Sequence, residues 1–321
     1  MKQGILLVNL GTPDSASVKD VKRYLREFLM DPLVMDFPFL KRYILVNWII
    51  VPSRAPKSAA TYEKVWTDEG SPLMFHTQNV GAKLQAYLGQ EYVVEIAMRY
   101  QNPSIKVGLE NLKSKNVEHL KVLPLFPQYA EATNRSVEEK VKVELNNLDY
   151  HPELEVVGDF HDNEHFINCF SELGKGYEPQ NFDYIIFSFH GLPRRHIKKA
   201  VSKGLPDYEK QSYTTAKLIA EKLNLQESDY TICFQSRLGK DPWLEPYTSD
   251  VVKKLAKNGK KRVLVFSPAF VCGCLETTYE VEIEYNDEFK SMGGEEFVLV
   301  QGLNDNDIWI EALKEIICNN N

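Results

Sequence analysis

The stretch "IFSFHGLP", residues 186–193, is the one whose reading decides the fold. An apolar run that ends on a histidine and is closed by Gly-x-Pro reads as a buried strand stopping in a sharp turn. The same punctuation stands near the start of the chain, in "LLVNLGTP" (6–13). Two further pairs follow in the same order. "EIAMRY" (95–100) resembles "ICFQSRL" (232–238), with Arg99 and Arg237 at the strand ends. "VLPLFPQY" (122–129) resembles "VLVFSPAF" (263–270), where Pro127 and Pro268 each precede an aromatic by two residues. Charged segments of helical period separate these runs, the signature of βαβ units and a parallel sheet. The sequence thus predicts two α/β lobes of related design, with a boundary near residues 150–180. In open α/β sheets, ligands bind outside the carboxyl ends of the strands. That rule expects Leu10, Arg99, Tyr129, His190 and Phe270 at one rim, around a cleft between the lobes.

The totals agree with a folded chain of two domains. There are 321 residues, 43% hydrophobic and 26% charged, which is ordinary for globular proteins and long for one core. A net charge of −7 argues against nucleic acid as a partner, because phosphate binding needs a basic face. The five cysteines, Cys169, Cys233, Cys272, Cys274 and Cys318, are odd in number and scattered, which fits a reduced, cytoplasmic setting. The apolar start "ILLVNLGTP" runs straight into a turn and reads as a first buried strand, not as a signal sequence. Residues 37–52, "FPFLKRYILVNWIIVP", complicate the picture. Lys41 and Arg42 interrupt them, and the run Tyr43–Val51 is far short of the ~20 residues that span a bilayer. Two readings stand: a buried helix, or a surface patch with Tyr43 and Trp48 that rests on a membrane.

Several residues could carry chemistry. His190 ends its strand where Gly191 and Pro193 expose the imidazole, which can accept a proton or ligate iron or zinc. The alternative is a hydrogen-bonded histidine finishing a strand. Cys272-Gly-Cys274 invites a metal reading, but such sites commonly take four ligands and no second cysteine pair accompanies it. Small thiols in a tight turn explain it better. Arg54 and Lys57 are a solvated basic edge or, facing a cleft, a site for anionic carboxylates. Asp241, Trp243 and Glu245 read as a structural loop held by its tryptophan. In "CLETTYEVEIEY" (274–285), Glu276, Glu280 and Glu284 share one face of a helix, whereas 281–285 also alternate as a strand does. Placement just after the strand-end "SPAF" favours the helix, with the acids beginning near the rim of His190.

"ILLVNLGTPDS", "GSPLMFHTQ", "FSFHGLPRRH", "CFQSRLGKDPWLEPYT" and "SPAFVCGCLETTYEVEIEY" together resemble the ferrochelatases, which insert ferrous iron into a porphyrin in haem synthesis. The resemblance runs from about residue 4 to 315. It implies a chelatase-like fold of two Rossmann-like lobes, each a parallel four-stranded sheet flanked by helices and related by internal duplication. One lobe would span 1–165 with an apolar lip at 37–52. The other would span 166–321, its last helix packing back on the first. The resemblance further implies that His190 and Glu276 are catalytic, facing each other across the porphyrin centre, and that Glu280 and Glu284 continue from Glu276 along a helix with π-type widening as a metal path. Leu10, Arg54, Lys57, Tyr62, Ser71, Arg99, Tyr100, Tyr129 and Phe270 would bind the porphyrin. The expected partners are protoporphyrin IX and Fe²⁺, the latter as substrate, with peripheral contact to the inner membrane through the lip. No permanently bound cofactor and no iron–sulfur cluster are implied. Two positions depart from common family patterns: Gly273 stands where many relatives have aspartate, and Cys274 where animal forms have histidine.

Overall fold

The computed structural model describes residues 2–239 and 241–318. Its chain groups into two units. The first comprises residues 1–126, 130–159 and 313–321, the second 127–129 and 160–312.

In the first unit, β1 (Lys2–Gly11), β2 (Tyr92–Tyr100), β3 (Val117–Pro124) and β4 (Glu153–Val156) form a parallel sheet in the order β2-β1-β3-β4. Ile5, Leu6, Leu7 and Val8 in the central strand are buried, as continuous apolar runs are when helices cover both faces. In the second unit, β5 (Tyr184–His190), β6 (Tyr230–Gln235), β7 (Arg262–Phe266) and β8 (Glu296–Leu299) repeat the arrangement as β6-β5-β7-β8, again all parallel. Two Rossmann-like sheets of identical order are the predicted fold class. Phe187 and Phe266 stack 5.0 Å apart within the second sheet's core.

The shared Gly-x-Pro turn has a steric cause. Gly11 has φ +116°, and a Cβ there would lie 2.0 Å from the Tyr100 carbonyl oxygen on the neighbouring strand. At Gly191 a Cβ would lie 2.7 Å from the Gln235 carbonyl oxygen. Each strand therefore ends where its neighbour's backbone approaches too closely for any side chain.

Within residues 37–52, positions 39–52 are helical, as Phe39–Ile44, a π-helix Leu45–Ile50 and the start of Val51–Val65. The buried-helix reading fails for most of the segment: Leu40 and Trp48 are 69% and 73% exposed, and Phe39, Tyr43, Ile44 and Ile49 are exposed too. Val46 and Val51 supply the face that is buried. Among the described residues, no helix is long and apolar enough to cross a membrane.

Candidate functional site

His190 is the last residue of β5, paired in register with Gln235 of β6. Its Nδ1 lies 2.7 Å from the Gly191 carbonyl oxygen. A carbonyl can only accept, so Nδ1 carries a proton, and in the neutral form of the ring the lone pair is on Nε2. The backbone is held as firmly. Gly191 N–H donates to the Gln235 carbonyl at 2.8 Å, and the buried Tyr208 hydroxyl donates to the His190 carbonyl at 2.9 Å. Phe270 meets the imidazole edge-on, 6.2 Å between centroids. The loop at 241–245 packs against this turn. Leu244 N–H donates to the Leu192 carbonyl, and Trp243 packs where a Gly191 side chain would stand.

The acid row is a helix, of π type throughout Leu275–Tyr285. Its wider turn, closed by i→i+5 bonds, keeps Glu276, Glu280 and Glu284 near one line. Cys274 is its N-cap: Cys274 N–H donates to Thr277 Oγ1 at 2.9 Å, and Thr277 Oγ1 lies 3.6 Å from the thiol. Burial and the neighbouring Glu276 push the Cys274 thiol well above its ordinary value, so it stays protonated and inert. Cys-Gly-Cys is the entry to the helix, with Cys274 at its N-cap. Glu276 follows in the first turn, half-buried, with no ion pair among the described residues.

Glu280 is held by four hydrogen bonds. Ser236 N–H donates to Oε1 at 2.7 Å and Ser236 Oγ donates to Oε2. Gln235 Nε2 donates to Oε2 at 3.2 Å, and the Tyr285 hydroxyl to Oε1 at 2.6 Å. A carboxylate offers about four lone-pair sites, so Glu280 as placed has none left for a cation. Glu284 is exposed. Glu282, on another face, is half-buried, and desolvation raises its carboxyl above the ordinary value. Among the described residues, no three His, Cys, Asp or Glu side chains gather closely enough to hold a metal ion. His190, Glu276, Glu280 and Glu284 are thus not a preformed cage.

The remaining expected site residues fall as follows. Leu10 is half-buried at the end of β1. Arg54 and Lys57, three apart on helix Val51–Val65, are half-buried and exposed, and burial lowers the Arg54 guanidinium from its ordinary value. Tyr62 is buried edge-on to Tyr24 and Trp66. Ser71 is buried and accepts from Thr12 Oγ1 at 2.9 Å. Arg99 and Tyr100 converge on buried Asp31: Arg99 Nη2 donates to its Oδ2 at 2.6 Å, the Tyr100 hydroxyl at 2.9 Å. Tyr100 is wholly buried and has no surface to offer a ligand. Tyr129 groups with the second unit, its N–H donating to Gln211 Oε1 at 2.7 Å. Asp31, Gln235 and Ser236 were not singled out from sequence. Within "FQSRL" the sequence reading names only Arg237, which is exposed and lies over the Tyr247 ring at 4.5 Å.

The model of the Ferrochelatase family matches residues 2–321. The chain belongs to the ferrochelatase family. It is 42% identical to "Ferrochelatase" of Legionella pneumophila (strain Lens), with 99% of each chain covered. It is 39% identical to the protein of that name from Bdellovibrio bacteriovorus, with 98% of each covered. Among solved structures it resembles "SirB from Bacillus subtilis with Fe3+" at TM-score 0.56 and 14% identity, covering 99% of this chain and 97% of that one. A second match, titled as the structure of CbiX, the terminal enzyme for biosynthesis of siroheme in denitrifying bacteria, has TM-score 0.53 and 12% identity, covering 99% of each. These two likenesses speak to the fold.

Proposed function

We infer that the protein inserts ferrous iron into protoporphyrin IX to give protohaem, releasing two pyrrole protons as the metal enters. Full-length membership of the ferrochelatase family carries this reading, since the family's motif histidine and glutamate occur here as His190 and Glu276.

The chemistry needs a proton acceptor at the macrocycle and a way to deliver a hydrated cation. Neutral His190 presents the Nε2 lone pair, fixed by the Nδ1 contact, and takes or relays the protons. Glu276 acts from the opposite side, and its negative charge favours a divalent cation. Glu284, exposed further along the π-helix, receives the hydrated ion. Arg54 and Lys57 bind the propionates, arginine bidentately. Leu10, Tyr129 and Phe270 pack on the ring faces, and Tyr62, Ser71, Arg99 and Tyr100 support that wall. Bending the flat macrocycle exposes its nitrogens at the expense of binding energy elsewhere on the ring. No permanently bound cofactor or iron–sulfur cluster takes part.

The exposed apolar side chains at 39–49 support a cytoplasmic enzyme resting peripherally on the inner membrane, with the less polar protoporphyrin as substrate in preference to coproporphyrin. The test is anaerobic turnover of Fe²⁺ with protoporphyrin IX, followed by absorption, with coproporphyrin as competitor. Multiple turnovers are expected, lost in His190→Ala while porphyrin binding persists. Near-normal turnover by that variant would overturn the role of His190, and a preference for coproporphyrin would replace the substrate.

A further inference from the structure

Gln235 bonds both to the strand of His190 and to the helix of Glu276. It is 1% exposed at the end of β6. Its carbonyl accepts from Gly191 N–H at 2.8 Å, so its backbone fixes the turn that presents the imidazole. Its amide works in the other direction. Nε2 donates to the Glu276 carbonyl at 2.8 Å and to Glu280 at 3.2 Å, while Oε1 accepts from buried Ser188 Oγ at 2.8 Å. The next residue, Ser236, has φ +64°, a conformation that is unfavourable for a non-glycine residue and persists only where the surroundings impose it. What imposes it here is Glu280, which takes both the Ser236 N–H and its hydroxyl. Tyr285, at the far end of the π-helix, closes on the same carboxylate.

We propose that Gln235 is a positioning residue for the chelation reaction, setting Glu276 relative to His190, and that Glu280 serves this clamp as its acceptor and is not a ligand of the incoming iron. The assignment rests on the reading of His190 and Glu276 given above. All four acceptor sites of Glu280 are filled from inside the protein, and the clamp grips the π-helix at its first turn, its middle and its last residue. A carboxylate held this way orients the helix that carries Glu276. It does not need to leave its donors to do so.

The test is steady-state kinetics of Gln235→Leu, Glu280→Gln and the double variant, with Fe²⁺ and porphyrin each saturating. A displacement of Glu276 by a fraction of an ångström should lower kcat about tenfold or more. Both single variants are expected to lose kcat in a way that saturating metal does not restore, with porphyrin affinity by fluorescence unchanged within about twofold. The double variant should be no worse than the poorer single one, because both remove one unit. An unchanged kcat in Gln235→Leu overturns the proposal. So does a Glu280→Gln effect confined to the KM for metal and additive with Gln235→Leu, which would return Glu280 to the metal path. If Gln235→Leu does not fold, Tyr285→Phe removes a single bond of the clamp and should lower kcat severalfold, and an unchanged kcat there also overturns it. The underlying reading fails separately, by activity in His190→Ala or Glu276→Gln.

Discussion

The two lobes solve the same problem with opposite electrostatics. In each, the second strand is tied by a backbone bond across a proline turn, Met98 N–H to the Pro103 carbonyl at 2.7 Å and Phe234 N–H to the Pro246 carbonyl at 2.9 Å. The residue that follows each donor is the node of its lobe. In the first lobe it is Arg99, which donates to the Ser136 carbonyl and hydroxyl just past a short π-helix, Glu131–Arg135, and pairs with Asp31. In the second it is Gln235, which reaches into the long π-helix Leu275–Tyr285. A half-buried guanidinium at that position favours a counter-charge, and buried Asp31 supplies it. Glu131 likewise pairs with Arg135. A neutral amide demands none, so Glu280 is satisfied by hydroxyls, an amide and a backbone N–H, and Glu276 makes no ion pair among the described residues. One lobe neutralises its rim internally. The other keeps negative charge there.

The comparison can be broken most directly by paired substitutions of the acids. Glu276→Gln should lower kcat by about a hundredfold or more, on the scale of a lost proton-transfer group, while Glu131→Gln should leave it within about twofold. Equal losses would mean that the lobes are not specialised. Next, Asp31→Asn leaves half-buried Arg99 without its counter-charge and should cost about 2–3 kcal/mol in urea unfolding; a neutral result would show that the first lobe's network is idle. The lobes differ in their connections too, since only the first carries exposed Trp48 and Ile49 between its first two strands. Replacing both by serine should weaken binding to anionic vesicles, read by sedimentation, about a hundredfold, given ~1.5 kcal/mol or more per buried apolar side chain, with Tm unaltered. A fall in Tm would place these residues in a core instead.

The smallest effect concerns a carboxylate that is satisfied by backbone. Asp183 accepts from Lys261 and Arg262 N–H at 2.7 and 2.9 Å, and these bonds hold its carboxyl below the ordinary 3.8. A depressed carboxylate contributes stability that is present above the unfolded value and is lost as pH falls through the folded one. Asp183→Asn should therefore lower Tm slightly at pH 7, and the difference should vanish as the pH drops below 3.8. A difference that persists in acid would mean that the charge is not its source.

Much of this was legible in the chain. Apolar runs closed by Gly-x-Pro fixed both central strands, because a strand buried on both faces leaves no polar alternation and its turn admits only glycine. His190 could be placed at a strand end from local pattern, whereas Glu276 went onto a helix by its placement after the strand-end "SPAF", since 281–285 also alternate as a strand does. The pattern misled where partners lie far off in sequence. Arg237 looked like the counterpart of Arg99, but the backbone bonds put Gln235 there. Tyr129 follows a first-lobe strand, yet its N–H is held by Gln211, 82 residues away.

What the sequence by itself determined was the alternation of strands and helices, their duplication and the identity of the chemical groups, all of which follow from periodicity, turn chemistry and motif spacing. Tertiary structure alone decided what each group is free to do. Hydropathy could not say that Trp48 faces outward, since exposure depends on what packs against a helix. Spacing could not separate Glu276 from Glu280, since acceptors of Glu280 are filled by Gln235, at the end of a strand, and by Ser236 just after it, both more than forty residues earlier. A carboxylate's chemistry is set by the donors that reach it, and only the fold brings them there.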